Sequence, residues 1–183
     1  MANDRERHAE KQRRRIERQL NQEVPTFEFQ FDPGGLAQAG PVITTNIGVT
    51  DSHAAALVAG GLSVPQMVHC RFLVDTGADG CVVKHEVADA AGLKLIATNV
   101  PLHGIGIDTT GRVYMGRIWF GVESKKVPGA VHRISVDTRV MSGTLSATAP
   151  FDGIIGRDVL QHFEMTYNGK NGRFRLKYFR PTP

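Results

Sequence analysis

Hydrophobic and polar residues alternate along much of the chain, and a two-residue period is typical of β-strands that bury one face. The clearest example runs from Thr26 to Phe31, where every second residue is phenylalanine, and it ends at Asp32-Pro33-Gly34-Gly35. This pattern predicts an edge strand that covers a hydrophobic surface. Strand-like patterns also occupy residues 41–49, 64–74, 81–83 and 115–139, and Asn-Gly turns predict a hairpin over residues 163–179.

Helical signals are few and short. Residues 51–59 begin with capping side chains and end at a Gly-Gly pair, and residues 84–91 end at Gly92, so each segment predicts a short helix. Residues 101–114 form two strand-like halves around a glycine-rich tip, which is the pattern of a mobile hairpin lid. The sequence therefore predicts a mainly β domain with short helices.

The first 23 residues differ from the rest in composition. They carry seven lysines and arginines against five acids, and Ile16 and Leu20 are almost their only apolar residues. Such a segment cannot bury enough surface to offset its ordering entropy, so we expect a solvated helix or a flexible arm. A nucleic-acid or acidic-partner tail centred on Arg13-Arg14-Arg15 is an alternative, which the interleaved acids and the missing aromatic residues disfavour.

The remaining residues, 24–183, fit one ordinary domain with a hydrophobic core. They hold 15 Lys and Arg against 13 Asp and Glu, so the arm accounts for much of the net charge of +4. No apolar run has the length of a signal-peptide core or a membrane span, and we expect a cytoplasmic protein. Cys70 and Cys81 make neither a disulfide framework nor a metal cluster, so we expect no metal and no organic cofactor.

One stretch joins a strand to unusual chemistry. Phe72-Leu73-Val74 runs directly into Asp75-Thr76-Gly77, which leaves a carboxylate at the end of a buried strand. Asp-Thr-Gly alone is a common turn tripeptide. However, an ionised aspartate is rarely buried unless it is paired or hydrogen-bonded, so this position suggests a carboxylate used in catalysis. Thr76 can donate a hydroxyl hydrogen bond, and Gly77 allows close approaches that a Cβ would block.

A second stretch strengthens this interpretation. Residues 154–160, Ile-Ile-Gly-Arg-Asp-Val-Leu, again carry a short apolar run into a glycine and then begin a short helix. Together with residues 73–79, they resemble the retropepsin-like aspartic proteases. In that family a strand ends in Asp-Thr-Gly-Ala, a flap hairpin follows, and a hydrophobic-hydrophobic-Gly-Arg-(Asp/Asn) segment opens the C-terminal helix. The resemblance covers roughly residues 41–183 and is closest to single-domain bacterial members.

The resemblance implies an all-β, retropepsin-like acid-protease barrel with short helices and one lobe per chain. It implies an aspartic endopeptidase in which Asp75 is catalytic and Thr76 and Gly77 orient the carboxylates. Substrate contacts would come from Ala78 and Asp79.

The resemblance also assigns supporting roles elsewhere in the chain. The flap backbone at Gly104, Ile105 and Gly106 would hydrogen-bond an extended peptide. Gly156 and Arg157 would support the active-site end of a dimer interface, Arg157 by pairing with a carboxylate such as Asp79.

The number of catalytic carboxylates has a consequence for assembly. The sequence contains one Asp-Thr-Gly, whereas the family mechanism places water between two carboxylates that share a proton. The second Asp75 would come from another copy across a two-fold axis, so the resemblance implies a homodimer. The last strand, residues 173–178, alternates basic and apolar residues, and its edge is the candidate dimer contact.

Two other functions remain open. A non-catalytic peptide-binding dimer could keep the same fold, although the intact Asp75-Thr76-Gly77 disfavours it. The chain could also be a protease derived from a genetic element, with a basic arm that binds RNA. Apart from this alternative, the expected partners are a second copy of the chain and a protein or peptide substrate, and no nucleic acid is expected. If the arm is removed by self-processing, we expect a cut between Asn21 and Pro33, close to where the ordered domain begins.

Overall fold

The computed structural model describes residues 2–104, 107–146 and 148–179. The helices are α1 (Ala2–Asn21), α2 (Pro33–Ala39), α3 (Asp51–Ala59), α4 (His85–Ala90) and α5 (Arg157–Leu160). The strands are β1 (Thr26–Gln30), β2 (Val42–Gly48), β3 (Val68–Val74), β4 (Cys81–Val83), β5 (Lys94–Gly104), β6 (Ile107–Glu123), β7 (Val131–Ser142), β8 (Gly153–Ile155), β9 (Phe163–Asn168) and β10 (Arg173–Tyr178).

A seven-stranded sheet forms the body of the domain, with the strand order β2-β3-β8-β4-β7-β6-β5. Strand β2 also pairs with β6, so the sheet curls into a partly closed barrel. Because successive side chains on a strand face opposite sides, alternate residues of these strands fill the interior. The fully buried side chains include Ile47, Phe72, Ile118, Val140 and Ile155.

Strand β8 lies between β3 and β4, which are consecutive in the sequence. It runs parallel to β3, with Ile154 opposite Leu73, and antiparallel to β4, with Ile154 opposite Val82. The loop of residues 75–80 joins β3 to β4 and therefore crosses the end of β8. This topology brings the two sequence motifs together.

A smaller sheet has the strand order β1-β10-β9. The prediction that the phenylalanine-rich strand is an edge strand is confirmed, and Phe27 packs against Phe120 and Phe163. The terminal hairpin is also confirmed, but the prediction that residues 173–178 form an edge is wrong. Strand β10 is central, because β1 returns from the N-terminal side to pair with it, and β9 forms the second edge.

The helical content corrects the all-β prediction. Five helices accompany the sheets in the described residues, and the arm forms the longest of them, an exposed α1 of 20 residues. The sequence does not predict helix α2, because Pro33-Gly34-Gly35 indicates a break. Instead Asp32 caps the helix by accepting a hydrogen bond from Gly35 N at 2.8 Å, and Leu36 is buried beneath it. None of the helices in the described ranges could cross a membrane.

Helix α3 confirms the helix predicted over residues 51–59, yet none of its residues is buried. Arg117 of β6 ties it to the barrel wall by pairing with Asp137 of β7 and Asp51 of the helix. These hydrogen bonds, above all that to Asp137, raise the pKa of Arg117. The predicted strand over residues 64–74 is shorter than expected, because residues 62–67 have no regular structure.

Glu23 fixes the start of the domain. Its carboxylate accepts hydrogen bonds from Ser124 Oγ at 2.5 Å and Lys125 N at 2.8 Å, and it lies 3.1 Å from His132 Nε2. The bond from Ser124 is the main reason that the pKa of Glu23 is lowered to about 2. A processing site that leaves these contacts of Glu23 in place would therefore have to precede Glu23.

Candidate active site

Asp75 stands at the end of β3, at the edge of the barrel core. Its backbone N–H donates to the carbonyl oxygen of Ile155 at 3.0 Å, so β8 fixes the position of the residue. The half-buried side chain accepts a hydrogen bond from Gly77 N to Oδ1 at 2.8 Å. A Cβ at Gly77 would lie 3.1 Å from the same oxygen, which explains why glycine suits this position. The turn thus holds one carboxylate in a fixed orientation.

Thr76, Ala78 and Asp79 complete the loop. Thr76 and Asp79 are exposed, whereas Ala78 is half-buried and its N–H donates to the carbonyl oxygen of Asp75 at 3.3 Å. No hydrogen bond or ion pair joins Asp75 to a second carboxylate in the part of the chain that the structure describes. Within the described residues, the Asp75 carboxylate therefore has no second carboxylate paired with it.

Gly156 lets the second motif pack directly against this loop. A Cβ on Gly156 would lie 2.5 Å from the carbonyl oxygen of Gly80, so any side chain would force the two segments apart. The backbone continues the contact, since Arg157 N donates to Ala78 O at 2.9 Å and Asp158 N donates to Asp79 O at 3.2 Å. The start of α5 therefore supports the loop along its length.

Arg157 binds the loop from the outside. Its guanidinium donates to the carbonyl oxygens of Thr76 at 2.8 Å and Gly77 at 3.2 Å, and it forms an ion pair with Asp79. Arginine suits this position because its planar fork of donors can hold several oxygens at once. The guanidinium links both sides of the turn that carries Asp75.

Asp158 has a supporting role that the sequence did not reveal, although the residue belongs to the Gly-Arg-Asp motif. Its carboxylate accepts hydrogen bonds from Cys81 N at 3.1 Å and from the hydroxyl of Thr138. It also accepts a weak hydrogen bond from the thiol of Cys81. Burial, followed by the charge of Asp158, raises the pKa of Cys81, so the thiol stays protonated. Asp158 thus fixes the point where the loop enters β4.

Asp152 precedes β8 and is held away from Asp75 by other contacts. It accepts hydrogen bonds from Arg71 N at 3.1 Å and Lys84 Nζ at 3.2 Å. Partial burial acts to raise the pKa of Asp152, but the bonds from Arg71 and Lys84 outweigh it, and the pKa is lowered. This ionised carboxylate therefore joins β3 to the start of α4.

An apolar row runs across the outer face of the barrel and passes through Leu73, two residues before Asp75. Leu73 of β3 and Ile154 of β8 are directly opposite one another, and both are half-buried on the face away from the core. Each strand of the large sheet contributes one half-buried apolar residue: Val42, Leu73, Ile154, Val82, Met141, Val113 and Ala97. Alternation in the sequence predicts which residues of each strand lie on the same face. It does not predict that these seven residues of different strands form one row.

The predicted flap is a long hairpin of β5 and β6. Gly104 is opposite Ile107 at the end of the pairing, whereas Ile105 and Gly106 lie outside the described residues. The register shifts twice near the base of the hairpin, and Asn99, with a φ of 55°, lies within one shift. Such bulges bend and twist a strand pair.

Residues that could hold a metal are absent from the described ranges: no three His, Cys, Asp or Glu side chains are grouped as ligands.

Comparison with known proteins gives a family match and a structural match. A family model described as aspartyl protease matches residues 56–159, which include residues 73–79 and all but the last residue of the second motif. The crystal structure of a retropepsin-like aspartic protease from Rickettsia conorii is also similar, with 14% sequence identity and a TM-score of 0.47. That match covers 85% of this chain and 93% of the other. No curated protein matches the sequence.

Proposed function

Because the chain belongs to the aspartyl protease family, we propose that it is an aspartic endopeptidase that works as a homodimer with Asp75 as its catalytic residue. The observation that carries this proposal is the fixed carboxylate at the end of β3. Gly77 N holds Oδ1, and Oδ2 has no hydrogen-bond partner among the described residues. That oxygen is available to a water molecule.

A second copy of the chain supplies the other carboxylate. General acid/base activation of water in this class needs two carboxylates that share one proton, because two like charges at close range are not both ionised. Each chain contains one Asp-Thr-Gly, so a two-fold axis beside Asp75 completes the site. Thr76 is exposed on the single chain, which leaves its hydroxyl available to orient the paired loops.

The reaction is hydrolysis of a peptide bond. The oxygen of the water attacks the scissile carbonyl carbon while the ionised carboxylate takes a proton from the water. The protonated carboxylate gives its proton to the carbonyl oxygen. When the tetrahedral intermediate breaks down, the C–N bond breaks and the amine leaves with a proton. The products are a carboxylic acid and an amine.

The substrate is an extended peptide with apolar side chains near the scissile bond. The apolar row, with Leu73 and Ile154 closest to Asp75, supports this preference because it offers half-buried hydrophobic surface beside the carboxylate. Ala78 and Asp79 border the same loop. The flap residues Gly104, Ile105 and Gly106 supply main-chain hydrogen bonds in the manner of strand addition.

The free edge of β9 is the proposed dimer contact. Met165 and Tyr167 lie on the apolar face of the small sheet, yet they are 40% and 49% exposed, whereas their neighbours Leu176 and Phe174 on β10 are buried. An unpaired edge next to exposed apolar side chains favours pairing with another strand. The start of α5 packs against the loop of residues 75–80, and β9 follows α5 in the chain. Contact between two β9 strands would therefore keep both Asp75 residues near the two-fold axis.

Peptide cleavage by Asp75→Asn tests the function. A diverse peptide pool is incubated with wild type and variant from acidic to neutral pH, and the cuts are identified by mass spectrometry. We expect wild type to cut next to apolar residues, and the variant to be about 10²–10⁴-fold slower. Asp89→Asn, which changes an exposed carboxylate on α4, is the matched control and should cleave like wild type. Equal cleavage by Asp75→Asn and wild type would overturn the proposal.

A further inference from the structure

The outer face of the small sheet is an open polar surface. Its nine alternate positions are Thr26, Glu28 and Gln30 on β1, Arg173, Arg175 and Lys177 on β10, and Glu164, Thr166 and Asn168 on β9. All nine are exposed or half-buried, whereas the β1 and β10 side chains of the opposite face pack on the core. No described element covers this surface, which we call the outer polar face.

A row of three cations runs along the middle strand of this face. Arg173, Arg175 and Lys177 alternate along β10, so their Cα atoms are spaced by about 6.8 Å. Lys177 is paired with Glu164 at 3.2 Å, but neither arginine has an ion-pair partner among the described residues. A row of unpaired guanidinium groups on an extended strand suits a ligand with regularly spaced negative charges.

The two arginines line a shallow cavity of about 520 Å³. Its walls also carry amide and hydroxyl side chains, from Gln30, Asn168, Asn171 and Thr166. Arg175 donates to Thr166 Oγ1 at 3.1 Å, which holds its guanidinium across the sheet. Amide groups next to arginines can both donate and accept hydrogen bonds, as recognition of base edges requires.

Phe179 ends the row with an exposed aromatic ring. It follows Lys177 by two residues, is 52% exposed, and lies with its ring centroid 5.8 Å from Lys177 Nζ. An exposed aromatic ring beside a cationic row is the combination on which proteins stack unpaired bases.

The acids on this face leave it positive. Among the described residues, Glu28 is the one carboxylate in the cavity wall, and it pairs with Lys125 at 3.3 Å. Glu164 forms an ion pair with Lys177. Each acid is therefore compensated by a lysine, and the charges of Arg173 and Arg175 remain in excess.

We propose that the outer polar face binds single-stranded nucleic acid, with Arg173 and Arg175 on phosphates and Phe179 stacked on a base. This is a different surface from the basic arm, for which the sequence left a nucleic-acid contact as a disfavoured alternative. It contains none of the residues of the candidate active site, so it does not depend on the proposed protease activity.

Fluorescence anisotropy with a labelled oligouridylate of about 16 nucleotides tests the proposal. The full chain is titrated at several salt concentrations, and the double variant Arg173→Gln/Arg175→Gln is compared with Arg133→Gln/Arg139→Gln. The second pair removes the same charge from exposed positions on β7. Circular dichroism establishes that both variants are folded.

We expect only the β10 variant to bind more weakly. The slope of log K against log salt should become shallower by about 1.4, because two phosphate contacts on a single strand are lost. Phe179→Ala should weaken binding about fivefold or more without changing the slope, because it removes stacking and no charge.

Four outcomes would overturn the proposal. The full chain could fail to bind the oligonucleotide, or the β7 control could lose as much affinity as the β10 variant. Binding could also be lost only in the variant Arg13→Gln/Arg14→Gln/Arg15→Gln, which would assign it to the arm. Binding of a labelled polyglutamate peptide with equal affinity would show an acidic-peptide site instead.

Discussion

Near Asp75, the contact between Gly156 and Gly80 leaves no space for a side chain at residue 156. Two backbones approach each other so closely that a Cβ on Gly156 would lie within 2.8 Å of three atoms of Gly80. Neither residue takes part in the proposed chemistry. Their contact nevertheless decides where the loop that carries Asp75 lies.

Gly156→Ala should therefore damage both stability and activity. We expect the free energy of unfolding to fall by about 1–3 kcal/mol, the range for overpacked sites, because β8 and the loop are forced apart. Urea unfolding measures this loss, and peptide cleavage should fall in the folded variant. Gly121→Ala is a suitable control, because its Cβ would meet only Val131 at 3.7 Å. Full cleavage activity in Gly156→Ala would contradict the supporting role.

Glu23 provides a prediction about pH at the same scale. Its pKa is lowered to about 2 in the folded chain, so its hydrogen bonds stabilise the fold above the ordinary carboxyl pKa near 4.5. This stabilisation is lost as the pH falls from about 4.5 towards 2, because the unfolded chain takes up the proton first. Thermal unfolding of wild type and Glu23→Gln should differ most at neutral pH, and the difference should shrink through this window. A difference that grows on acidification would contradict it.

At the scale of strands and helices, alternation and motifs in the sequence predicted the elements, but they did not predict which strands pair. The strands at residues 26–30, 42–48 and 163–178 follow from apolar periodicity, and the Asp75 turn follows from its motif. The central position of β10 could not be predicted, because it depends on β1, a partner distant in sequence. Helix α2 was missed because a Pro-Gly-Gly break and a capped helix start share the same residues. The role of Asp158 depends on Thr138, which no local pattern connects to it.

The β9 edge gives a prediction at this scale. Met165→Lys/Tyr167→Lys places two charges on the exposed apolar positions of the edge, and we expect the dimer dissociation constant to rise at least about tenfold. Sedimentation at several concentrations measures it. Thr166→Lys adds a charge on the opposite face of the same strand and should leave the dimer intact. An unchanged dissociation constant in the double variant would place the interface elsewhere.

For the whole molecule, the proposed site exists only where two chains meet. Specific activity should therefore rise with protein concentration around the dimer dissociation constant.

Mixing chains tests this assembly directly. When equal amounts of wild type and Asp75→Asn exchange freely, random pairing leaves about half of the wild-type dimers, so activity should fall to about half. Mixing with the Asp89→Asn control should instead add its own activity. If Asp75→Asn has no effect on the wild type after exchange, each chain carries a complete site.

The insertion of β8 between β3 and β4 has a consequence for how the protein is made. Asp75 is synthesised early, but the strand that fixes its backbone, residues 153–155, leaves the ribosome only when most of the domain has been translated. Pairing between segments so distant in sequence is slow, because the loop between them must close first. We therefore expect the turn that carries Asp75 to become ordered late in synthesis, which under the proposed function delays peptide cleavage until the domain is complete.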